Sequence, residues 1–298
     1  MQLVRSLIVC NLLALTLCGA RAYAQERYSP FVPTEEGDVV RMLKLAELRD
    51  GDVVFDLGSG DGRIVLEAAR RQSGVRGRGI EMDEKLVAQS RESAQAAGLR
   101  DRVQFIQQNA FDADLKDATV ITMWLWPEVM NMLRPKILAE AQPGTRVITR
   151  MWNLGSWPAD ETTTEGTTLY KWIVPARVDG YWNWSLTLSE PSLPYSIILE
   201  QRFQTVEGFA RVGNRRALLN DVKLQGADIS FSLLISPEGS KLVRHQFAGK
   251  VRGDMIEGKV SVLHDPYEHP IEIPWRARRA ASSAYFAPTG MDSEVARY

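Results

Sequence analysis

The sequence predicts an α/β domain with a parallel sheet, followed by an all-β antiparallel barrel or sandwich. Two observations carry this. Strand-like and helix-like segments alternate up to residue 176. Beyond it the helical period vanishes, and short alternating segments recur at spacings of about ten residues. Strands separated by helices close right-handed crossovers and give a parallel sheet covered on both faces. Short strands divided by turn residues give a barrel or sandwich.

Taken in order, Asp38–Leu48 carries a helical apolar stripe that Gly51-Asp52 ends. Val53–Leu57 reads as a buried strand broken only by Asp56, and Gly62–Arg71 as a helix. Arg78–Glu81 is a strand, and Asp83–Ala97 a helix capped by Asp83. Val103–Ile106 and Ala118–Leu125 are strands, and Pro127 opens a helix in its favoured first turn. Arg146–Arg150 is a fifth strand. Eight further strands run from Gly180–Leu188 to Ile271–Arg276. The expected organisation is a signal peptide at 1–24, an α/β domain at 25–176, a β domain at 177–280 and a flexible tail at 281–298.

The composition bounds the function. The chain has 298 residues, 45% hydrophobic and 24% charged, with a formal net charge of −1. This excludes extended disorder and disfavours a broad nucleic-acid surface. Arg5, the apolar run Leu7–Leu17 and Ala22-Tyr23-Ala24 form a secretory leader cleaved before Gln25. An uncleaved anchor is the alternative, and Leu17 ahead of Cys18 argues against a lipoprotein. Cleavage removes Cys10 and Cys18, the two cysteines of the chain. The expected location is periplasmic or secreted.

The most informative stretch is Asp56-Leu57-Gly58-Ser59-Gly60-Asp61-Gly62-Arg63. A buried strand, three alternate glycines and a helix build a site where a ligand approaches the backbone closely. A dinucleotide fingerprint wants glycine where Arg63 stands, and Asp61 would repel a pyrophosphate. A ligand carrying a sulfonium and an ammonium has the opposite preference and favours Asp56 and Asp61. Glu81, at the tip of the second strand, is placed to accept hydrogen bonds from both hydroxyls of a ribose. Met82 would flank an adenine, and Asn109 and Ala110 follow the third strand around the same pocket.

These residues resemble class I S-adenosylmethionine-dependent methyltransferases over about Phe31–Pro175, half of the chain. The resemblance implies a Rossmann-like methyltransferase domain with S-adenosylmethionine as cofactor. Phe31-Val32-Pro33-Thr34 and Trp124-Leu125-Trp126-Pro127-Glu128-Val129 are similar to bacterial relatives of the mitochondrial lysine methyltransferases that modify the ATP synthase c subunit and the adenine nucleotide carrier. In that family the segment around Pro33 and Thr34 lies near the methionine end of the cofactor. The implied cofactor set is Pro33, Thr34, Asp56, Gly58, Gly60, Gly62, Glu81, Met82, Asn109 and Ala110. Three departures stand out. Asn109 replaces the usual aspartate, and Trp126-Pro127 stands where base and amino-group methyltransferases carry Asn/Asp-Pro-Pro-Tyr. Arg150-Met151-Trp152-Asn153 replaces a more acidic pattern.

The acceptor belongs above the carboxyl ends of strands four and five. Trp124, Trp126, Trp152 and Trp157 fall there, either lining a slot or filling core, with Trp126 expected to face the pocket most. Glu128 could steer a cation or serve as a first-turn helix acid. No catalytic residue is assignable. His245, His264 and His269 make a poor metal set, and no serine occupies a nucleophile elbow. Arg276, Arg278 and Arg279 read as a solvated sheet edge. Trp182, Trp184, Phe203, Phe209, Phe231, Phe247 and Trp275 would fill a core or line a small ligand-holding barrel. The functional expectation is methyl transfer in the cell envelope to an acceptor such as a protein lysine. The alternative is a non-enzymatic ligand- or partner-binding protein on a retained methyltransferase fold. No nucleic-acid partner is expected; membrane contact and oligomeric state stay open.

Overall fold

The computed structural model describes residues 30–187, 192–235, 243–263 and 270–280. The expected leader and tail, and His264 and His269, lie outside the described residues. A seven-stranded sheet comes first: β1 (Val53–Leu57), β2 (Arg76–Glu81), β3 (Val103–Gln107), β4 (Val120–Met123), β5 (Arg146–Arg150), β6 (Glu161–Thr163) and β7 (Leu169–Ile173). Their order is β3-β2-β1-β4-β5-β7-β6. β3 through β5 are mutually parallel, and β7 runs antiparallel to both of its neighbours. The helices are α1 (Glu36–Leu45), α2 (Arg63–Arg71), α3 (Glu84–Ala96) and α4 (Pro127–Glu140).

The period-2 geometry of β1 explains why both faces of the sheet are covered. Val54 packs with Val39 and Met42 of α1 and Ile64 of α2. Phe55 and Leu57, pointing the other way, pack with Met130 and Leu133 of α4. β5 occupies the residues expected for it. Asp83 caps α3, its Oδ1 accepting from the amides of Lys85 and Leu86 at 2.8 and 3.3 Å. The sequence reading has no counterpart of the β6–β7 hairpin.

α1 ends at Leu45 rather than Leu48, because Glu47 takes a left-handed conformation with φ 51°. The freed carbonyls of Ala46 and Glu47 accept from the Arg146 guanidinium, both at 2.7 Å. Arg146 also pairs with Asp52 at 2.5 Å, and both side chains are buried. Asp52 accepts from Thr119 Oγ1 at 2.7 Å and from the Arg49 amide at 2.7 Å. This network fastens α1 beneath the amino ends of β1 and β5.

The second half forms a closed eight-stranded antiparallel barrel. Its strands are β8 (Gly180–Leu186), β9 (Leu193–Arg202), β10 (Thr205–Val212), β11 (Arg215–Gln225), β12 (Asp228–Ile235), β13 (Val243–Arg252), β14 (Met255–Leu263) and β15 (Ile271–Arg279). Each strand pairs with the next, and β15 returns to β8 through Arg278–Asn183 and Arg279–Trp182. Closure removes the edges of the sheet. Arg276, Arg278 and Arg279 therefore lie on a closing strand rather than a sheet edge. Arg276 pairs with Glu257 at 2.6 Å and Arg279 with Asp254 at 2.8 Å.

Aromatic rings fill the barrel interior. Phe231 stacks on Phe247 with centroids 4.9 Å apart, and Trp184, Tyr195 and Trp275 complete the cluster. Trp182 is fully buried. His245 lies inside too, its Nδ1 bonded to Tyr195 Oη at 2.9 Å. The described interior is thus packed as core. Outward positions carry charge, including Glu200, Arg202, Glu207 and Arg211. Charge at these positions interrupts the continuous apolar band that a lipid-spanning barrel presents. Among the described residues, no helix is long and apolar enough to cross a membrane.

Two aromatics expected in the barrel core lie elsewhere. Phe209 is exposed on the outer face. Phe203, at the β9–β10 turn, leaves the barrel and packs into the core beneath the first sheet. It stacks on Trp157 with centroids 6.0 Å apart. Gln204 accepts from Trp157 Nε1 at 3.0 Å and donates to the Pro158 carbonyl at 2.7 Å. Trp157 is therefore buried where barrel and sheet meet and takes no part in an acceptor slot.

Removing Arg146 strands the Asp52 carboxylate in the interior and strips two helix carbonyls of their partner. Arg146→Leu should lower the unfolding free energy by about 3–5 kcal/mol in denaturant titrations, as for other broken buried ion pairs.

Candidate active site

The loop after β1 is built by its glycines. Gly58, Gly60 and Gly62 have φ of 80°, 53° and 80°, the left-handed region that side chains disfavour. The Gly58 and Ser59 amides both donate to the Ile80 carbonyl, at 2.9 and 3.0 Å, which locks the loop to the end of β2. The space beside each glycine is already used. A Cβ would meet Leu125 at Gly58, Phe31 at Gly60 and Phe105 at Gly62, all within 2.5 Å. The lead-in segment and the β4–α4 connection therefore pack directly on the loop. Phe31 packs its ring on Gly60 and remains 41% exposed.

Glu81 turns toward this loop. Its Oε2 accepts from the Gly60 amide at 3.0 Å, and its Oε1 accepts from the Met82 and Asp83 amides at 2.8 and 2.9 Å. A carboxylate offers about four lone-pair sites. Three are taken, so one ribose hydroxyl can bind at Oε2 without rearrangement. Met82 is half-buried next to Glu81.

Asp56 is buried at the end of β1, its Oδ1 accepting from Thr122 Oγ1 at 2.7 Å. Burial pushes its pKa up to about 7, against the Thr122 hydrogen bond and aided by the charges of Glu81 and Asp61. Asp61 is not a free counter-charge, contrary to expectation. Arg63 grips it with Nε at 2.9 Å and Nη2 at 2.5 Å. Burial opposes the ionised form of Asp61, yet Arg63 holds its pKa below the usual range. Arg63 also donates to the Thr34 carbonyl at 2.7 Å. The residue that spoils a dinucleotide fingerprint thus straps the Pro33-Thr34 segment across the loop. Thr34 is buried and Pro33 exposed. Asn109 and Ala110 follow β3; the Asn109 side-chain oxygen accepts from the Phe111 amide at 3.0 Å and caps a short 3₁₀ turn.

On the acceptor side, Trp126 and Trp152 are 49% and 42% exposed. Met151 is exposed beside them, with a left-handed φ of 69° that is costly for a side-chain-bearing residue. Trp124 is half-buried under the Arg150 guanidinium, 4.1 Å from its ring centroid. Glu128 is exposed in the first turn of α4. The structure also brings in Asp38, a residue the sequence reading left within a helix. It pairs with Arg150 at 2.6 Å and with Arg41 at 2.8 Å. Burial opposes its ionisation, but hydrogen bonds from Arg150 and Thr167 hold its pKa below the usual range. α1 is thereby clamped to the end of β5.

The crevice therefore offers two carboxylates, Asp56 and Glu81, that form no ion pair among the described residues. The buried Ser59 hydroxyl beside them has no hydrogen-bond partner. This set of groups suits a cationic nucleoside and is repulsive to a pyrophosphate. It fits S-adenosylmethionine, which supplies an electrophilic methyl group when bound. Fold and site define a class I S-adenosylmethionine-dependent methyltransferase.

Comparison with known proteins narrows this. Residues 56–161 match the family model of the ANTKMT methyltransferase domain. A protein-lysine N-methyltransferase of Saccharolobus islandicus is 36% identical over 132 residues, 44% of this chain and 82% of that protein. The adenine nucleotide translocase lysine N-methyltransferase of Mus musculus is 35% identical over 46% of this chain, but only 59% of its own length is spanned. A crystal structure of an RNA methyltransferase from Salinibacter ruber with S-adenosyl-L-homocysteine is 46% identical, covering 49% of this chain and 96% of that one, with TM-score 0.48. The chain belongs to the ANTKMT methyltransferase family. It is a methyltransferase and not merely a binding protein on a retained fold.

Two outcomes are expected from calorimetric titration with S-adenosylmethionine. Binding of a cation favours ionised Asp56, so affinity should rise with pH, by up to about tenfold per unit, and level off above pH 7. Asp56→Asn should flatten that dependence. The sign is opposite for folding: ionising Asp56 costs stability as pH rises from its unfolded pKa near 3.8 to about 7. Separately, Glu81→Ala should weaken cofactor binding by roughly tenfold to hundredfold through loss of a charged hydrogen-bond acceptor.

Proposed function

We propose that the protein is a protein-lysine N-methyltransferase. The observation that carries this reading is the exposed aromatic rim, Trp126 and Trp152, at the carboxyl ends of β4 and β5, close to Met151. Flat rings there suit the aliphatic stem of a lysine and attract its ammonium before the proton is lost. Relatives named as lysine N-methyltransferases support the same acceptor class. The acceptor nitrogen must present its lone pair, so its proton has to leave first. Glu128, exposed in the first turn of α4, draws a cationic side chain toward the rim.

We also propose that the enzyme acts in the cell envelope, on the strength of the leader read at 1–24. One experiment addresses both proposals. Full-length protein is expressed, and the N-terminus of the exported form is read by mass spectrometry. That form is then incubated with methyl-labelled S-adenosylmethionine and separate envelope and cytosolic fractions. The expected result is a chain beginning at Gln25, with label on lysine side chains of an envelope protein. Trp126→Ala should lower labelling at limiting acceptor by about tenfold while cofactor affinity is unchanged. Label on nucleic acid or small molecules would overturn the lysine assignment. Label confined to the cytosolic fraction, or an intact Met1 in the exported form, would overturn the location.

A further inference from the structure

We infer that the outer face of the barrel carries a binding site for an amphipathic anion, a molecule with one acidic head and one apolar chain. Two rows of outward side chains make the case. The first is apolar. Tyr181, Ile198 and Phe209 are cross-strand partners on β8, β9 and β10. Leu218, next to Ala217 on β11, extends the row, since Ala217 pairs with Ala210. These four side chains are between 38% and 60% exposed. Aligned on adjacent strands, they form a continuous apolar strip, unlike the single exposed hydrophobics that need no explanation.

The second row runs beside it and is basic. Arg211 and Arg216 are direct cross-strand partners on β10 and β11. Like charges held opposite one another destabilise a sheet. Among the described residues neither arginine forms an ion pair, whereas other barrel arginines, such as Arg276 and Arg279, do. An uncompensated arginine pair calls for an anion that can bridge it.

The surface is concave at the place where the rows meet. A hollow of about 460 Å³ is lined by Phe209, Arg211, Asn214 and Arg216. A neighbouring hollow of about 580 Å³ shares Arg211 and Asn214 and reaches Tyr181 and Trp184. Trp184 is 6% exposed, and its indole N–H is buried without a hydrogen-bond partner. A buried donor left unpaired is costly and uncommon. A ligand in the second hollow would lie against the residue that carries it.

The charge pattern selects the ligand class. Glu200 and Glu207, themselves cross-strand partners, border the apolar row on its other side. An extended polyanion lying across the row would meet them and be repelled. A compact head on the arginines with its chain along the row avoids them. A free single-chain amphiphile and the outer layer of an anionic bilayer offer this same chemistry.

The test uses the full-length protein and three probes: a lysophosphatidylglycerol below its micelle concentration, the matching lysophosphatidylcholine, and glycerol phosphate. Intrinsic tryptophan fluorescence and calorimetry read binding. Saturable binding of the first is expected, with the second at least about tenfold weaker and the third weaker still. Arg211→Gln combined with Arg216→Gln should remove the discrimination between the two lysolipids. Phe209→Ser should weaken both. Sedimentation with phosphatidylglycerol vesicles forms a second arm. Arginine-dependent sedimentation without binding of the monomeric amphiphile supports the site, with a lipid surface as its source. The proposal is overturned if neither arm binds, if the arginine variant binds like the parent, or if glycerol phosphate binds as well as the amphiphile.

Discussion

A buried carboxylate without a cation beside it is the constraint around which the crevice is organised. Asp56 sits at the end of β1 with a single hydroxyl for company, and Glu81 stands at the end of the adjacent strand. Leaving such charge uncompensated is costly in a low-dielectric interior. The protein lessens that cost without a salt bridge. Thr122 hydrogen-bonds one carboxylate, three backbone amides surround the other, and Asp56 is driven toward its neutral form. What remains is a negative potential that a cationic ligand relieves. The glycines serve this end by letting the loop fold back far enough for the Gly60 amide to reach Glu81.

The same economy governs Arg63 and Arg150. Each arginine neutralises an acid that would otherwise add to the charge at the site, Asp61 in one case and Asp38 in the other. Each also ties a distant segment to the crevice: Arg63 holds the Thr34 carbonyl, and Arg150 holds α1 while covering Trp124. Asp56 and Glu81, at the ends of β1 and β2, form no ion pair among the described residues. Selective neutralisation, and not the number of acidic residues, sets the field at the site.

This separation explains how much was legible in the sequence. Local features were readable because they are encoded in adjacent residues. The glycine loop, the Asp83 cap, β5 and the eight barrel strands all fall close to where periodicity and turn chemistry put them. What escaped was set by distant partners. Asp38 and Arg150 are 112 residues apart, and nothing near either one announces the other. Glu161–Thr163 is three polar residues with no strand period, and it is a strand because β7 pairs with it. β7 in turn carries the buried Lys171, held by Glu47 at 2.5 Å and Glu161 at 3.2 Å. Whether the β region closes as a barrel or stacks as a sandwich depends on the pairing of β15 with β8, far apart in sequence. The alternation of residues is compatible with both.

The attachment of the barrel follows from Phe203. A turn residue with a side chain at φ 55° is strained, and the strain is sustained by what the ring gains in leaving the barrel. It stacks on Trp157 beneath the sheet, with Arg134 5.7 Å from its centroid. Nearby, the Ala176 amide donates to the Gly226 carbonyl at 2.8 Å, and Val174, Ala176 and Val178 are buried. The connection between the two halves is therefore packed structure and not an exposed tether. In a barrel of alternating strands, the β9–β10 and β11–β12 turns lie at one end and the β10–β11 turn at the other. Docking consumes the first end. The arginine pair, next to the β10–β11 turn, lies toward the end left free, and the apolar row crosses the middle of the strands.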